Sequence, residues 1–76
     1  MQVEILTPDK SLFSGEAEVV TLPGTDGQFQ ILNNHAALVS SLAAGTISIK
    51  TAGGEEKVTI GGGVVEVLNN KIIVLA

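Results

Sequence analysis

Residues 22–38 read LPGTDGQFQILNNHAAL, and the punctuation within this stretch decides the fold. Pro23, Gly24, Thr25, Asp26 and Gly27 are consecutive turn formers: proline presets φ, glycine tolerates positive φ, and aspartate bonds its own backbone. Gln28–Leu32 then alternates polar and apolar residues around Phe29 and Ile31, the period of a half-buried strand. The stretch therefore predicts a tight reversal between two strands, Glu16–Leu22 and Gln28–Leu32. Asn33 and Asn34 break the chain again. His35, the only histidine, opens a small apolar run to Leu42 that fits neither strand nor helical period well and could be a strand or a short helical turn.

The same grammar extends in both directions. Met1–Thr7 alternates Gln2 and Glu4 with Val3 and Ile5, and Pro8 stops it because proline cannot donate to a ladder. Ser11–Ser14 forms a short strand closed by Gly15. Downstream, Thr46–Lys50 and Glu55–Ile60 flank a hairpin loop at Ala52–Gly54, and Val64–Leu68 and Lys71–Leu75 flank a reversal at Asn69 and Asn70. Short strands at this spacing predict an all-β chain, a small flattened sandwich or barrel of mainly antiparallel strands. The last strand breaks alternation, since Ile72 to Leu75 are all apolar. Either a second layer or another chain must cover its outer side.

Seventy-six residues make one domain, 1–76, and bury only roughly 60% of the unfolded surface, so a partner is a natural source of added stability. The formal net charge of −4 and an aromatic content of 3% argue against nucleic acid, which needs a basic face and stacking platforms. No apolar run approaches the ~20 residues of a membrane helix. Glu4 and Asp9 stand where a signal peptide would be basic and then apolar. A soluble chain without direct membrane insertion is expected, and the lack of cysteine fits a cytosolic-type compartment.

Candidates for chemistry are few. One histidine without cysteine makes a poor zinc site, and Ser40 and Ser41 near His35 lack any nucleophile-elbow frame. A hydrogen-bonded loop or interface histidine is the plainer reading. Gly61–Gly63 joins two strands, whereas phosphate loops lead into a helix, so a bend or bulge is expected. Glu55 and Glu56 point to opposite faces of one strand, and Glu16 and Glu18 share a face that keeps an edge soluble. No catalytic residue, cofactor site or metal site is expected.

Taken in order, Thr7-Pro8, Phe13-Ser14-Gly15, Leu22-Pro23-Gly24-Thr25, Gly27, Phe29, Ile31-Leu32, His35-Ala36, Leu38, Gly45, Ile49, Gly62-Gly63, Glu66-Val67, Asn70 and Val74-Leu75-Ala76 resemble the epsilon subunit of rotary ATP synthases. The match is to its amino-terminal β-sandwich domain and covers Val3–Ala76. Three positions depart from the family: Gln30 stands where glycine is usual, and Asn33 and Ala37 where proline is common. The resemblance implies a non-catalytic central-stalk subunit of a proton- or sodium-driven synthase, linking the gamma subunit to the c-ring and transmitting torque. It would sit peripherally on the cytoplasmic face of an energy-transducing membrane, or the stromal or matrix equivalent, and would be a monomer when isolated.

The family's carboxy-terminal helical pair, associated with inhibiting ATP hydrolysis, has no counterpart up to Ala76. By the same resemblance, Thr7, His35, Ala36, Leu38 and Ser40 would meet the gamma subunit. Thr25, Asp26, Gln28, Phe29, Gln30, Ile31 and Leu32 would face the polar loops of the c-ring. Ala36–Val39 is either a partner pad or internal core. The rival readings are a biotinyl- or lipoyl-type carrier domain with its lysine at Lys10, an enzyme using His35, and an unrelated assembly module.

Overall fold

A computed structural model describes residues 1–76 and contains nine strands and no helix. They are β1 (Gln2–Leu6), β2 (Ser11–Glu16), β3 (Val19–Gly24), β4 (Gly27–Leu32), β5 (Leu38–Leu42), β6 (Gly45–Thr51), β7 (Gly54–Ile60), β8 (Gly63–Leu68) and β9 (Lys71–Leu75). Their hydrogen bonding makes two layers. One layer has the order β2-β1-β9-β8-β5, and the other β4-β3-β6-β7. The layers join where Gly24 of β3 meets Leu42 of β5. Every pairing is antiparallel except β1 with β9, which run parallel from Gln2 beside Lys71 to Leu6 beside Leu75. The all-β expectation therefore holds, as a sandwich closed along one corner.

The core follows from alternation. Val3 and Ile5, Ile72 and Val74, and Val65 and Val67 point inward from the first layer. Val20 and Leu22, Ile31, Ile47 and Ile49, and Ile60 answer from the second. β-Branched side chains dominate because they pack well on a pleated surface. The molecule is 19 Å across its thinnest axis, as expected for two sheets about 10 Å apart with one outward layer of side chains on each.

Several boundaries differ from the sequence reading. β3 starts at Val19, and Glu16 belongs to β2, where it pairs with Gln2. Glu16 and Glu18 therefore do not share one strand. The reversal expected over Pro23–Gly27 is shorter, because Pro23 and Gly24 remain in β3 opposite Gln28 and Gly27, leaving only Thr25 and Asp26 in the turn. Pro23 is tolerated there because its hydrogen-free nitrogen faces away from β4, and its carbonyl on that side accepts the Ala43 amide at 2.7 Å. The run after Asn34 is extended: β5 is a strand, with Leu42 buried and Leu38 packed on the core.

Candidate functional site

The residues that suggested chemistry remain apart. His35 is exposed, and its Nδ1 lies 2.8 Å from the Ala36 carbonyl. The Ser40 hydroxyl donates to the Ser41 carbonyl at 3.3 Å. No three His, Cys, Asp or Glu side chains gather where they could hold a metal ion. Gly61 and Gly62 connect β7 to β8, whose first residue is Gly63, with positive φ at Gly62 and Gly63. A side chain on Gly63 would run into the Leu75 carbonyl, so this turn lets two strands approach closely. Glu55 accepts a hydrogen bond from the Ser48 hydroxyl, and Glu56 is exposed on the opposite face. Lys10 lies in the β1–β2 turn, where its carbonyl accepts the Thr7 amide at 2.8 Å.

The two outer faces of the sandwich are chemically unlike. The face of the β4-β3-β6-β7 layer carries Gln30, Thr21, Ser48 and Lys57 in one cross-strand row. Gln30 Nε2 donates to Thr21 Oγ1 at 3.3 Å. The face of the β2-β1-β9-β8-β5 layer carries Leu6, Leu75 and Val64 in one row and Ile73, Glu66 and Val39 in the next. Val39, Leu75, Leu68 and Val64 are 68%, 58%, 50% and 43% exposed. They are four of the five large hydrophobic residues left exposed; the fifth is Leu32 on β4. This answers the question posed by the last strand, since Ile72 and Val74 enter the core while Leu75 stays uncovered by this chain. The Glu4–Lys71 ion pair, 3.3 Å apart, lies at one side of the same face. Exposed Glu66 stands within the patch, between Ile73 and Val39, so the face is an apolar surface interrupted by one carboxylate, and exposed apolar surface of this extent marks a protein-binding face.

The residues expected at interfaces distribute themselves around this face. Thr7 follows Leu6 at one end of the layer, and its hydroxyl accepts the amides of Asp9 and Lys10. His35 lies at the other end, near Leu68, Asn69 and Asn70, and is followed by the exposed Ala36. One strand length therefore separates Thr7 from His35, with the apolar face between. Leu38 and Ser40 lie opposite Val67 and Val65 and so point to the core side of β5, while Val39 points outward. Val39, expected in one apolar run with Leu38, thus parts from it and shares a face with Val64, Leu68, Ile73 and Leu75, which are scattered in the sequence and come together only through the register.

The stretch Thr25–Leu32 is a hairpin arm and not a loop. Its tip, Thr25 and Asp26, lies at the Thr7 end, where the Thr25 amide donates to the Ser41 carbonyl at 3.2 Å. Gln28, Gln30 and Leu32 are exposed along β4. Phe29 is half-buried, and Ile31 is 1% exposed. Ile31 is a core residue and cannot itself be a surface contact.

A family model described as the β-sandwich domain of the ATP synthase delta/epsilon chain matches residues 1–76. An ATP synthase epsilon chain of Desulforamulus reducens is 44% identical over 75 residues, covering 99% of this chain and 57% of that protein. Epsilon chains of Bordetella petrii and Sulfurimonas denitrificans are 42% and 47% identical, with 55% and 58% of their lengths covered. The chain thus spans rather more than half the length of the curated relatives it matches. Among solved structures, a chain of the Euglena gracilis mitochondrial ATP synthase (OSCP/F1/c-ring) superposes with a TM-score of 0.89 at 21% identity, covering 97% of this chain and 48% of that one. A chain of the Tetrahymena thermophila central stalk and c-ring gives 0.82 at 20% identity, covering 97% and 60%. These two likenesses establish the fold.

Proposed function

The chain belongs to the ATP synthase delta/epsilon β-sandwich family, and from that premise we propose that it acts in the central stalk of a rotary ATP synthase, as a non-catalytic element between a gamma-type subunit and the c-ring. The observation that carries this reading is the family match over residues 1–76, which treats the sandwich as one unit. The geometry supports a division of labour. The apolar face containing Val39, Val64, Leu68 and Leu75, with Thr7 at one end and His35 and Ala36 at the other, offers the broad surface that a gamma-type partner would cover. The tip at Thr25 and Asp26, with Gln28 and Gln30 beside it, offers polar groups to the loops of the ring. Stiffness suits such a coupling, and a sandwich with two-residue turns has few soft joints. In this role the chain would sit peripherally at the F1 side of an energy-transducing membrane, attached through its partners.

The test is retention of a gamma-type subunit from an ATP synthase of one of the matched relatives by the tagged chain. Val39→Asp and Leu75→Asp change outward side chains, so they should leave circular dichroism unchanged and weaken retention at least ~10-fold, as expected when a charge enters an apolar contact. Gln28→Lys should leave gamma retention intact and reduce incorporation with the ring. Retention of gamma by both aspartate variants at the level of the unmodified chain would rule out this face.

A further inference from the structure

We propose, resting on the rotor reading above, that the gamma-type partner places an arginine or lysine against Glu66, at the centre of the apolar face. Along β8, Val64 and Leu68 flank Glu66 two residues away and so share its face. Across the ladders, Val39 of β5 stands opposite it on one side and Ile73 of β9 on the other. Glu66 thus has an apolar neighbour in all four directions, and it is exposed. No cation of this chain answers it. The single ion pair joins Lys71 to Glu4 of β1 at 3.3 Å. Lys50 and Lys57 belong to β6 and β7 of the other layer, and Lys10 to the β1–β2 turn.

Position decides what such a charge does. A carboxylate at the rim of an interface stays hydrated, but one at the centre loses its water when the face is covered. Left unpaired there, it would oppose the binding that its apolar neighbours favour. A partner that brings the opposite charge to this one point turns the same group into a specificity element, because surfaces without that charge are rejected. The surroundings suit arginine in particular. A recess between β8 and β9 is lined by Glu66, Leu68, Asn69, Lys71 and Ile73. Leu68 and Ile73 can hold the aliphatic stem of a long side chain while Glu66 accepts two parallel hydrogen bonds from a planar guanidinium.

Retention of the gamma-type subunit should fall at least ~10-fold with Glu66→Gln, which keeps the shape but leaves the partner's cation without its counter-charge. Glu66→Lys should abolish retention. One charge reversal among the partner's arginine and lysine residues, each changed singly to glutamate, should then restore it. The position is exposed, so circular dichroism should be unchanged in both variants. If Glu66→Gln binds as well as the unmodified chain or better, while Val39→Asp and Leu75→Asp lose the partner, the face is right and the paired charge is refuted. Glu66 would then serve only to keep the uncovered face soluble. Failure of every single reversal to restore Glu66→Lys would also overturn the pairing. Retention of the partner by both aspartate variants would overturn the face itself, and the paired charge with it.

Discussion

Asn70 does three things at once. It adopts φ 59°, its carbonyl accepts the Gln2 amide at 3.1 Å, and its Oδ1 accepts the Asn34 amide at 2.7 Å. Left-handed backbone costs an ordinary residue roughly 1 kcal/mol, and losing a side-chain acceptor costs about as much. Asn70→Ala should therefore lower the urea unfolding free energy by about 2 kcal/mol, and Asn70→Gly, which keeps the conformation, by about half of that. At Gly24, an added Cβ would stand 2.6 Å from the Gly27 carbonyl and 2.7 Å from the Phe29 ring. Gly24→Ala should consequently cost more than ordinary surface changes, about 2 kcal/mol or above, in the same measurement. Turn positions of this kind were legible in the sequence, since asparagine and glycine pairs advertise positive φ. The exact place of Pro23 was not. Whether a proline ends a strand depends on which side its nitrogen faces, and that is fixed by the neighbours of β3.

At the scale of the element, β5 shows what alternation decides. Leu38 and Val39 are adjacent and similar, yet Leu38 packs against the core and Val39 is exposed. Leu38→Asp should destabilise the chain by several kcal/mol, because it puts a charge against apolar neighbours. Val39→Asp should shift the unfolding midpoint by less than about 0.5 kcal/mol equivalent. Paired urea melts check this, and equal losses would mean that β5 is turned over. β9 makes a complementary case. It lies between β1 and β8 with Ile72 fully buried, so Ile72→Ala should cost about 2–4 kcal/mol. Eight of nine strands could be read as strands from period and turn chemistry, with ends displaced by a few residues. β5 was ambiguous because Ala36 and Ala37 blur the alternation that begins cleanly only at Leu38. The apolar outer face was not legible as a surface, since its residues come from β5, β8 and β9 and meet only through register.

For the molecule as a whole, the parallel pairing of β1 with β9 matters most. Residues 2–6 lie beside residues 71–75, so this contact closes nearly the whole chain into a loop. Such closure loses entropy before any burial compensates for it, and sheets built on distant pairs fold in milliseconds to seconds rather than microseconds. Nor can the pairing be peeled off as a local unit. β9 supplies the second neighbour of both β1 and β8, and without it β1 and β2 lose their link to the rest of the layer. The sandwich should therefore unfold in one step, with transitions by circular dichroism and by amide exchange in β1, β6 and β9 coinciding. A chain ending at Asn70 should fail to fold, whereas replacing the Ala52–Gly53 turn with another two-residue turn should leave the transition nearly where it was. Separate transitions for the two layers, or a folded chain lacking β9, would show that the corner at Gly24 and Leu42, and not the closure of the ends, holds the molecule together.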